Sequence, residues 1–468
     1  MNKGKDLVKN TLIILLGKVS IQFISFLMLP LYTKVLSTSE YGIIDIILTY
    51  VSLFAPVVTM QLEMASFRFL IENRKNKKEQ SIIITNVLIT SLSALFLFSV
   101  IFNLIATVFN YKYIIYVILL VTTTSLSGIL LQISRGKGNN IDYSIACVIS
   151  GFLNILFNII FLVYLKTGLI GMFLAQIIGN IISSIYLYIK LKLYNYFNKN
   201  NYSKNYVKKM LKYSLPLVPN GIIWWIINVS DRTLIKLLIS NSANGIYAIS
   251  NKFSSLFVNI YNIYNMSWTE SVSLNIKNDK DEFISKTFNK SIKFFSLSCL
   301  LIITILPFIF DLLINKRFDE AYNYIPILMI STFFNIVASL LGGIYIALKE
   351  TKKTMYTSLW AGILNILLNV AFIRAIGIYA AALSTLISFL LISFYRYLDI
   401  NKKIKLKIDI KFILLFLCLY LIALFTYYSK ILLLNIIMLL VVSIIFGLFN
   451  IDFILIVKNK ILKKIKRK

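Results

Sequence analysis

Apolar residues run along this chain in blocks of about twenty, and the breaks between the blocks are short. The pattern predicts fourteen helices, over about 11–33, 41–62, 81–109, 112–134, 143–165, 168–190, 213–239, 245–268, 291–314, 323–348, 355–374, 377–398, 411–428 and 431–457. Blocks such as 12–32 and 431–457 are long enough to cross about 30 Å of hydrocarbon at 1.5 Å per residue. The expected architecture is an all-α polytopic membrane protein with about 14 transmembrane helices. Composition agrees, since 58% of the 468 residues are hydrophobic, against about 45–50% in ordinary soluble domains.

A formal charge of +30 would point to nucleic acid in a soluble protein. Here it reads as topology. Most of the 49 Lys and Arg fall in alternate breaks: the N-terminus, 68–78, 135–137, 190–212, 277–293, 349–353, 396–411 and the tail. The opposite breaks carry only Lys34, Lys112, Lys166, Lys316, Arg317, Arg374 and Lys430. By the positive-inside rule both termini are expected to be cytoplasmic. The basic tail 458–468 is suited to anionic lipid headgroups. No folded polar domain exists to display a nucleic-acid patch, so no such partner is expected. The first apolar run is too long for a signal-peptide core and reads as a retained first helix.

The chain repeats itself. LSTSEYGIIDI (36–46) matches ISNSANGIYAI (239–249), and GFLNILFNIIFL (151–162) matches GILNILLNVAFI (362–373). Six helices separate the copies, and an even number preserves direction, so the halves are parallel repeats. The expected domains are a six-helix lobe over 1–190, a basic cytoplasmic linker over 191–212, a second six-helix lobe over 213–400, and two further helices with a basic tail over 401–468.

An ionisable group at mid-membrane is costly and is expected to face a partner or a wet cavity. Lys18 lies in the predicted first helix, with Gln22 one turn on. Asp45 lies about one turn inside the second, with Thr49 and Ser52 on its face. Asn228, Arg232 and Lys236 share one stripe of the seventh, and Lys252, Ser255 and Asn259 one stripe of the eighth. These are the repeat-related helices. They predict a wet central cavity with a cationic floor of Lys18, Arg232 and Lys252, lined by Gln22, Asn228, Ser255 and Asn259. Such a floor suits an anionic headgroup, because Arg and Lys offer several donors to phosphate oxygens. Asp45 is placed to pair with Arg232 or Lys252 as a gate. Static buried pairs, or a Lys236 that snorkels to the interface, account for the same residues without a cavity.

Asp231 points to another side of its helix and reads as structural. Asn154, Asn158, Asn365 and Asn369 read as hydrogen-bonding glue between helices. Pro30, Pro216, Pro219 and Pro307 are expected to permit bends. Arg396 is counted with the loop cations.

Histidine is absent, and Cys147, Cys299 and Cys418 all fall in apolar blocks. No metal site, disulfide framework or cofactor is expected. There is no G-x-x-x-x-G-K-[ST] phosphate loop. Energy is therefore expected from an ion gradient, H+ or Na+, or from consumption of product on the far side. No acid/base pair sits on a large loop, as a membrane glycosyltransferase or polymerase would need, so the chain is expected not to be an enzyme.

LPLYTKVLSTSEYGIIDI (29–46) and SLPLVPNGIIWWIINVSDRTLIKLLISNSANGIYAISNKFSSL (214–256), with the paired G-x-x-N-x-x-x-N, resemble the polysaccharide-flippase (Wzx-type) branch of the multidrug/oligosaccharidyl-lipid/polysaccharide exporter superfamily. The resemblance implies a V-shaped two-lobe bundle working by alternating access. Its cargo would be an undecaprenyl-diphosphate-linked oligosaccharide repeat unit, moved from the cytoplasmic to the outer leaflet for surface polysaccharide. It also implies partnership with membrane lipids and with a polysaccharide polymerase and chain-length machinery. Arg232 and Lys252 are the positions matching that picture. A multidrug/cation antiporter and a peptidoglycan-precursor lipid flippase share the architecture.

Overall fold

The computed structural model describes residues 26–275 and 280–451. Among them the helices are α1 (Leu29–Val35), α2 (Thr38–Val58), α3 (Leu62–Glu72), α4 (Lys77–Val108), α5 (Ile114–Gly136), α6 (Asn140–Ile159, running into a π turn at Ile160–Tyr164), α7 (Leu169–Lys190), α8 (Lys204–Ser214), α9 (Leu217–Leu238), α10 (Asn241–Asn275), α11 (Lys280–Leu313), α12 (Ala321–Ala347), α13 (Thr351–Ile376), α14 (Ile378–Asn401), α15 (Ile410–Ser429) and α16 (Leu432–Phe449). No strand occurs among the described residues.

Eleven of these helices are long and apolar enough to cross a membrane. Of the fourteen predicted spans, the first lies mostly outside the described residues. Two others, α9 and α10, have the length but not the apolarity, since α9 alone carries Asp231, Arg232 and Lys236.

Local chemistry sets the breaks. Ser37 caps α2 by accepting from the Glu40 amide, and the Glu40 carboxylate accepts from the Ser37 amide at 2.9 Å. This reciprocal pair satisfies two of the donors a helix start leaves free. Met60 and Gln61 both take positive φ, 53° and 55°, which ends α2 and starts α3 in a new direction. Gly168 (φ 58°, ψ −140°) and Gly377 (φ 59°, ψ −135°) precede α7 and α14 with nearly the same backbone. Those turns follow the paired G-x-x-N-x-x-x-N helices, and only glycine adopts such angles without strain.

By contacts the chain divides into two compact units. The first reaches Lys236 and includes Ser240–Gly245; the second holds Leu237–Ile239 and everything from Ile246 onward. On sequence grounds α9 opens the second lobe; by contacts it packs with the first.

In the first unit a core of Leu62, Leu70, Ile83, Val87, Ile133, Leu187 and Met210 draws α3, α4, α5, α7 and α8 together. The segment read from sequence as a basic linker is folded onto this unit. Ser81 donates to the Tyr196 carbonyl at 2.5 Å, and Asn86 both donates to the Asn201 carbonyl and accepts from the Ser203 amide, each at 2.9 Å. Ser203 then caps α8, whose Met210 and Ser214 are buried. In the second unit α12 is the central helix, with most of its surface buried. Trp268 of α10 donates to the Leu340 carbonyl of α12 at 2.9 Å. Gly343 makes room for this indole, since a Cβ there would meet it at 2.9 Å.

Two readings change, at Pro216 and Pro219 and at Arg396. Pro216 and Pro219 stand just before and in the first turn of α9, where a missing amide costs no helical hydrogen bond, so neither bends the helix midway. Pro307 lies within a continuous α11. Arg396 is not a loop cation: it is 3% exposed inside the second unit.

Candidate functional site

The polar residues of α2 and α9 meet inside the first unit. Arg232 Nε lies 3.3 Å from Asp45 Oδ2, with the two side chains only 22% and 12% exposed. One turn along α2 from Asp45, Thr49 accepts from Arg232 Nη1 at 3.1 Å through its hydroxyl. Its carbonyl accepts from Trp225 Nε1 at 2.9 Å. On the next residue, the Tyr50 hydroxyl lies 3.3 Å from that of Thr233, and its ring packs against Trp225 with centroids 5.2 Å apart. The guanidinium is thus held on two sides by one helix, and the aromatic pair keeps the helices in register. Charge-assisted contacts of this kind are stronger than neutral ones and, when half-buried, are little screened by salt.

Asp45, Thr49, Arg232 and Thr233 all belong to the first unit, although sequence spacing assigns α2 and α9 to different lobes. Asp45 was singled out from its position in the helix. The roles of Trp225 and Tyr50 were not, because an indole reaching a helix carbonyl depends on the crossing geometry.

Lys236, one turn beyond Arg232, stands at the edge of a cavity of about 280 Å³ whose other walls include Ile46, Tyr50, Phe54, Phe102 and Phe109. Asp231 is buried. Lys252, Ser255 and Asn259 belong to the second unit, on α10. There Lys252 and Asn259 are half-buried, Ser255 is exposed, and the Ser255 hydroxyl donates to the Lys252 carbonyl at 2.9 Å. Lys18 and Gln22 lie outside the described residues, as does the side chain of Asn228.

The paired asparagines bridge helices. Asn154 donates to Gln176 at 2.7 Å, Asn158 to Tyr32 at 3.2 Å and to Asn154 at 2.9 Å, and Asn365 to Thr385 at 3.0 Å. Asn369 is fully buried. Among the described residues no group of three or more Cys, Asp or Glu is placed to hold a metal ion.

Residues 7–269, more than half of the chain, match the family model described as polysaccharide biosynthesis protein. The chain belongs to that family. Within a polysaccharide biosynthesis protein of this kind, the match takes in α1 to most of α10, and with them Asp45, Arg232 and Lys252. A second family model, MatE, matches residues 216–371. An uncharacterized membrane protein of Methanocaldococcus jannaschii is 28% identical over 269 residues, covering 52% of this chain and 63% of that protein. The chain therefore spans less than two thirds of that relative's length.

Among solved structures, a multidrug resistance MATE family transporter of the MOP superfamily superposes with a TM-score of 0.66 at 13% identity, over 82% of this chain and 96% of that one. The lipid II flippase MurJ superposes with a TM-score of 0.66 at 19% identity, over 93% and 99%. At these identities the likeness is one of fold, and that fold is the MATE- and MurJ-like helical bundle of membrane transporters.

Proposed function

We propose that this chain is a flippase that carries undecaprenyl-diphosphate-linked oligosaccharide repeat units from the cytoplasmic to the outer leaflet, for assembly of a surface polysaccharide. The observation that carries the reading is the half-buried Arg232, bound by Asp45 and Thr49 in a chain of the polysaccharide biosynthesis family. A cation held by a carboxylate in a membrane-embedded bundle can exchange that carboxylate for a phosphate and itself stay paired throughout.

On this reading Arg232 and Lys252, with Lys18, meet the diphosphate, and Asp45 takes Arg232 back when cargo has left, so that the pair acts as a gate in alternating access. Gln22, Asn228, Ser255 and Asn259 serve as polar lining for the glycan. The energy comes from an H+ or Na+ gradient or from consumption of product by a polymerase and chain-length machinery. The protein sits in a bacterial inner membrane with both ends in the cytoplasm.

The test is the pool of lipid-diphosphate-linked oligosaccharide in cells lacking the protein. Build-up of one defined sugar-lipid on the cytoplasmic leaflet, relieved by the intact chain and not by Arg232→Ala at equal membrane levels, supports flipping and identifies the cargo. An unchanged pool with greater sensitivity to cationic dyes would transfer the reading to a multidrug antiporter, which the MatE match over 216–371 favours. Build-up of peptidoglycan precursor would transfer it to a lipid II-type flippase.

A further inference from the structure

The second unit has a cavity of about 540 Å³ between α13 and α14, well away in sequence from the residues assigned to cargo. Its walls are Tyr356, Trp360 and Leu364 of α13 and Leu391, Ile392 and Tyr395 of α14. Ala361 and Ser388, both small, leave the room between the helices. Both helices are long and apolar enough to cross a membrane, and Trp360 is 70% exposed. The open side of the groove therefore faces hydrocarbon.

One end is different. Lys353 lines the cavity there and is already engaged: it donates to Asp399 at 2.6 Å and lies 3.5 Å from Glu350, which also pairs with Lys403. Two carboxylates and two ammonium groups balance. Next to them in the chain, Lys349, Lys352 and Lys402 are exposed and form no ion pair among the described residues, which leaves this end with uncompensated positive charge.

The groove also has a definite length. From Lys353 to Leu364 α13 rises about 16 Å at 1.5 Å per residue, close to half of the roughly 30 Å hydrocarbon thickness. It runs from a basic rim to mid-membrane, the depth of one leaflet.

We propose that this groove is a binding site for one anionic phospholipid, with its phosphate at the Lys349, Lys352 and Lys402 rim and one acyl chain along Trp360 and Leu364. The rim belongs to the lysine-rich side, so the leaflet concerned is the cytoplasmic one, where anionic lipids concentrate in many membranes. Neither the cargo nor the direction of transport enters this argument, so it stands or falls separately from the flippase reading.

The chain has four tryptophans, and Trp360 reports on the groove directly. The full chain is placed in phosphatidylcholine nanodiscs containing a small, equal fraction of brominated-chain phosphatidylglycerol or brominated-chain phosphatidylcholine. The contribution of Trp360 is isolated by difference from Trp360→Phe. A lysine beside an anionic headgroup is worth about fivefold in binding, so with three on the rim the anionic lipid is expected to quench Trp360 at a mole fraction lower by about fivefold at the least. Combined Lys349→Gln, Lys352→Gln and Lys402→Gln substitution abolishes that preference. In the unsubstituted protein, raising salt to 1 M reduces it as the charges are screened. Equal quenching by the two lipids, no quenching by either, or a preference untouched by both the triple substitution and salt would overturn the proposal.

Discussion

Gly42 and Gly245, matched positions of the internal repeat, face each other where neither has space for a methyl group. A Cβ on Gly42 would lie 1.8 Å from the Asn241 carbonyl oxygen, and one on Gly245 would lie 2.0 Å from the Thr38 carbonyl oxygen. Thr38 and Asn241 are themselves matched positions. The contact is therefore reciprocal, as in an isologous interface. It is fastened by the Thr38 and Ser242 hydroxyls at 2.6 Å and by Asn244 donating to the Gly42 carbonyl at 2.9 Å. The motif most visible in the sequence as a repeat is thus a place where two backbones touch.

Gly42→Ala or Gly245→Ala forces backbone apart from backbone, with no flexible side chain to yield. Each is expected to lower stability by about 1–3 kcal/mol, read as a lower unfolding temperature of the purified protein. Gly447→Ala, where a Cβ meets nothing within 4 Å, is the control and should leave the temperature unchanged.

Arg232→Ala leaves the Asp45 carboxylate half-buried without its cation, and Asp45→Ala does the reverse. Breaking a buried pair from one side costs about 3–5 kcal/mol. With 22% and 12% exposure, the lower end is expected. The double substitution should cost clearly less than the sum of the two, and a double-mutant cycle on unfolding midpoints measures the difference. Additive losses would mean that the ion pair contributes nothing of its own.

How far the fold was legible depends on which signal each element carries. Long apolar blocks announce themselves, and so do G-x-x-N-x-x-x-N pairs. Helix α8 was hidden because lysines crowd its exposed face, and α3 because it is only eleven residues long and carries Glu63, Arg68 and Glu72; read only for charge, 68–78 and 190–212 look like loops. Ser203 followed by Val207, Met210, Leu211 and Ser214 does carry a cap and a buried stripe, so α8 was recoverable. Arg396 was not. Whether a cation near a helix end snorkels outward or turns inward depends on acceptors supplied by other helices, and no local pattern names them. At the site, Asp45 and Arg232 stood out as ionisable groups in apolar helices, while their mutual distance needed coordinates.

The linker's attachment gives a direct test. Asn86→Ala removes both hydrogen bonds that fix the backbone at Asn201 and Ser203. Trypsin cleavage at Lys199 and Lys204 is expected to accelerate several-fold, since proteolysis follows local opening. Electrophoresis of a timed digest reads this, with the membrane-embedded fragments intact.

Acid should loosen the lysine-rich side of the second unit. Hydrogen bonding from Lys403 holds the Glu350 carboxyl below its usual range, and hydrogen bonding from Lys293 does the same for Asp409. A carboxylate depressed in the folded state contributes stability that is present above its unfolded value, near 4, and is lost as pH falls through the folded value. The unfolding temperature is expected to be level from pH 8 to about 5 and to fall below that. The drop is small, because both carboxylates meet water. Glu350→Gln with Asp409→Asn lowers the neutral-pH plateau and flattens the acid decline.

Arg396 offers the sharpest contrast between charge and geometry. Its guanidinium donates through Nε to Thr357 at 2.9 Å, through Nη1 to the Ala338 carbonyl at 2.7 Å, and through Nη2 to the Thr354 carbonyl at 3.0 Å and Ser358 at 2.8 Å. Four acceptors on α12 and α13 are met by one planar fork from α14. A lysine carries the same charge but offers three donors from a single point, and cannot reach acceptors spread around a plane. Arg396→Lys is therefore expected to destabilise nearly as much as Arg396→Ala, by about 3 kcal/mol. Arg396→Met, which removes the charge while filling much of the space, should cost less than either. Unfolding midpoints of the three variants decide the matter: if Lys preserves stability and Met does not, charge is what holds α12, α13 and α14 together, and the fork geometry is incidental.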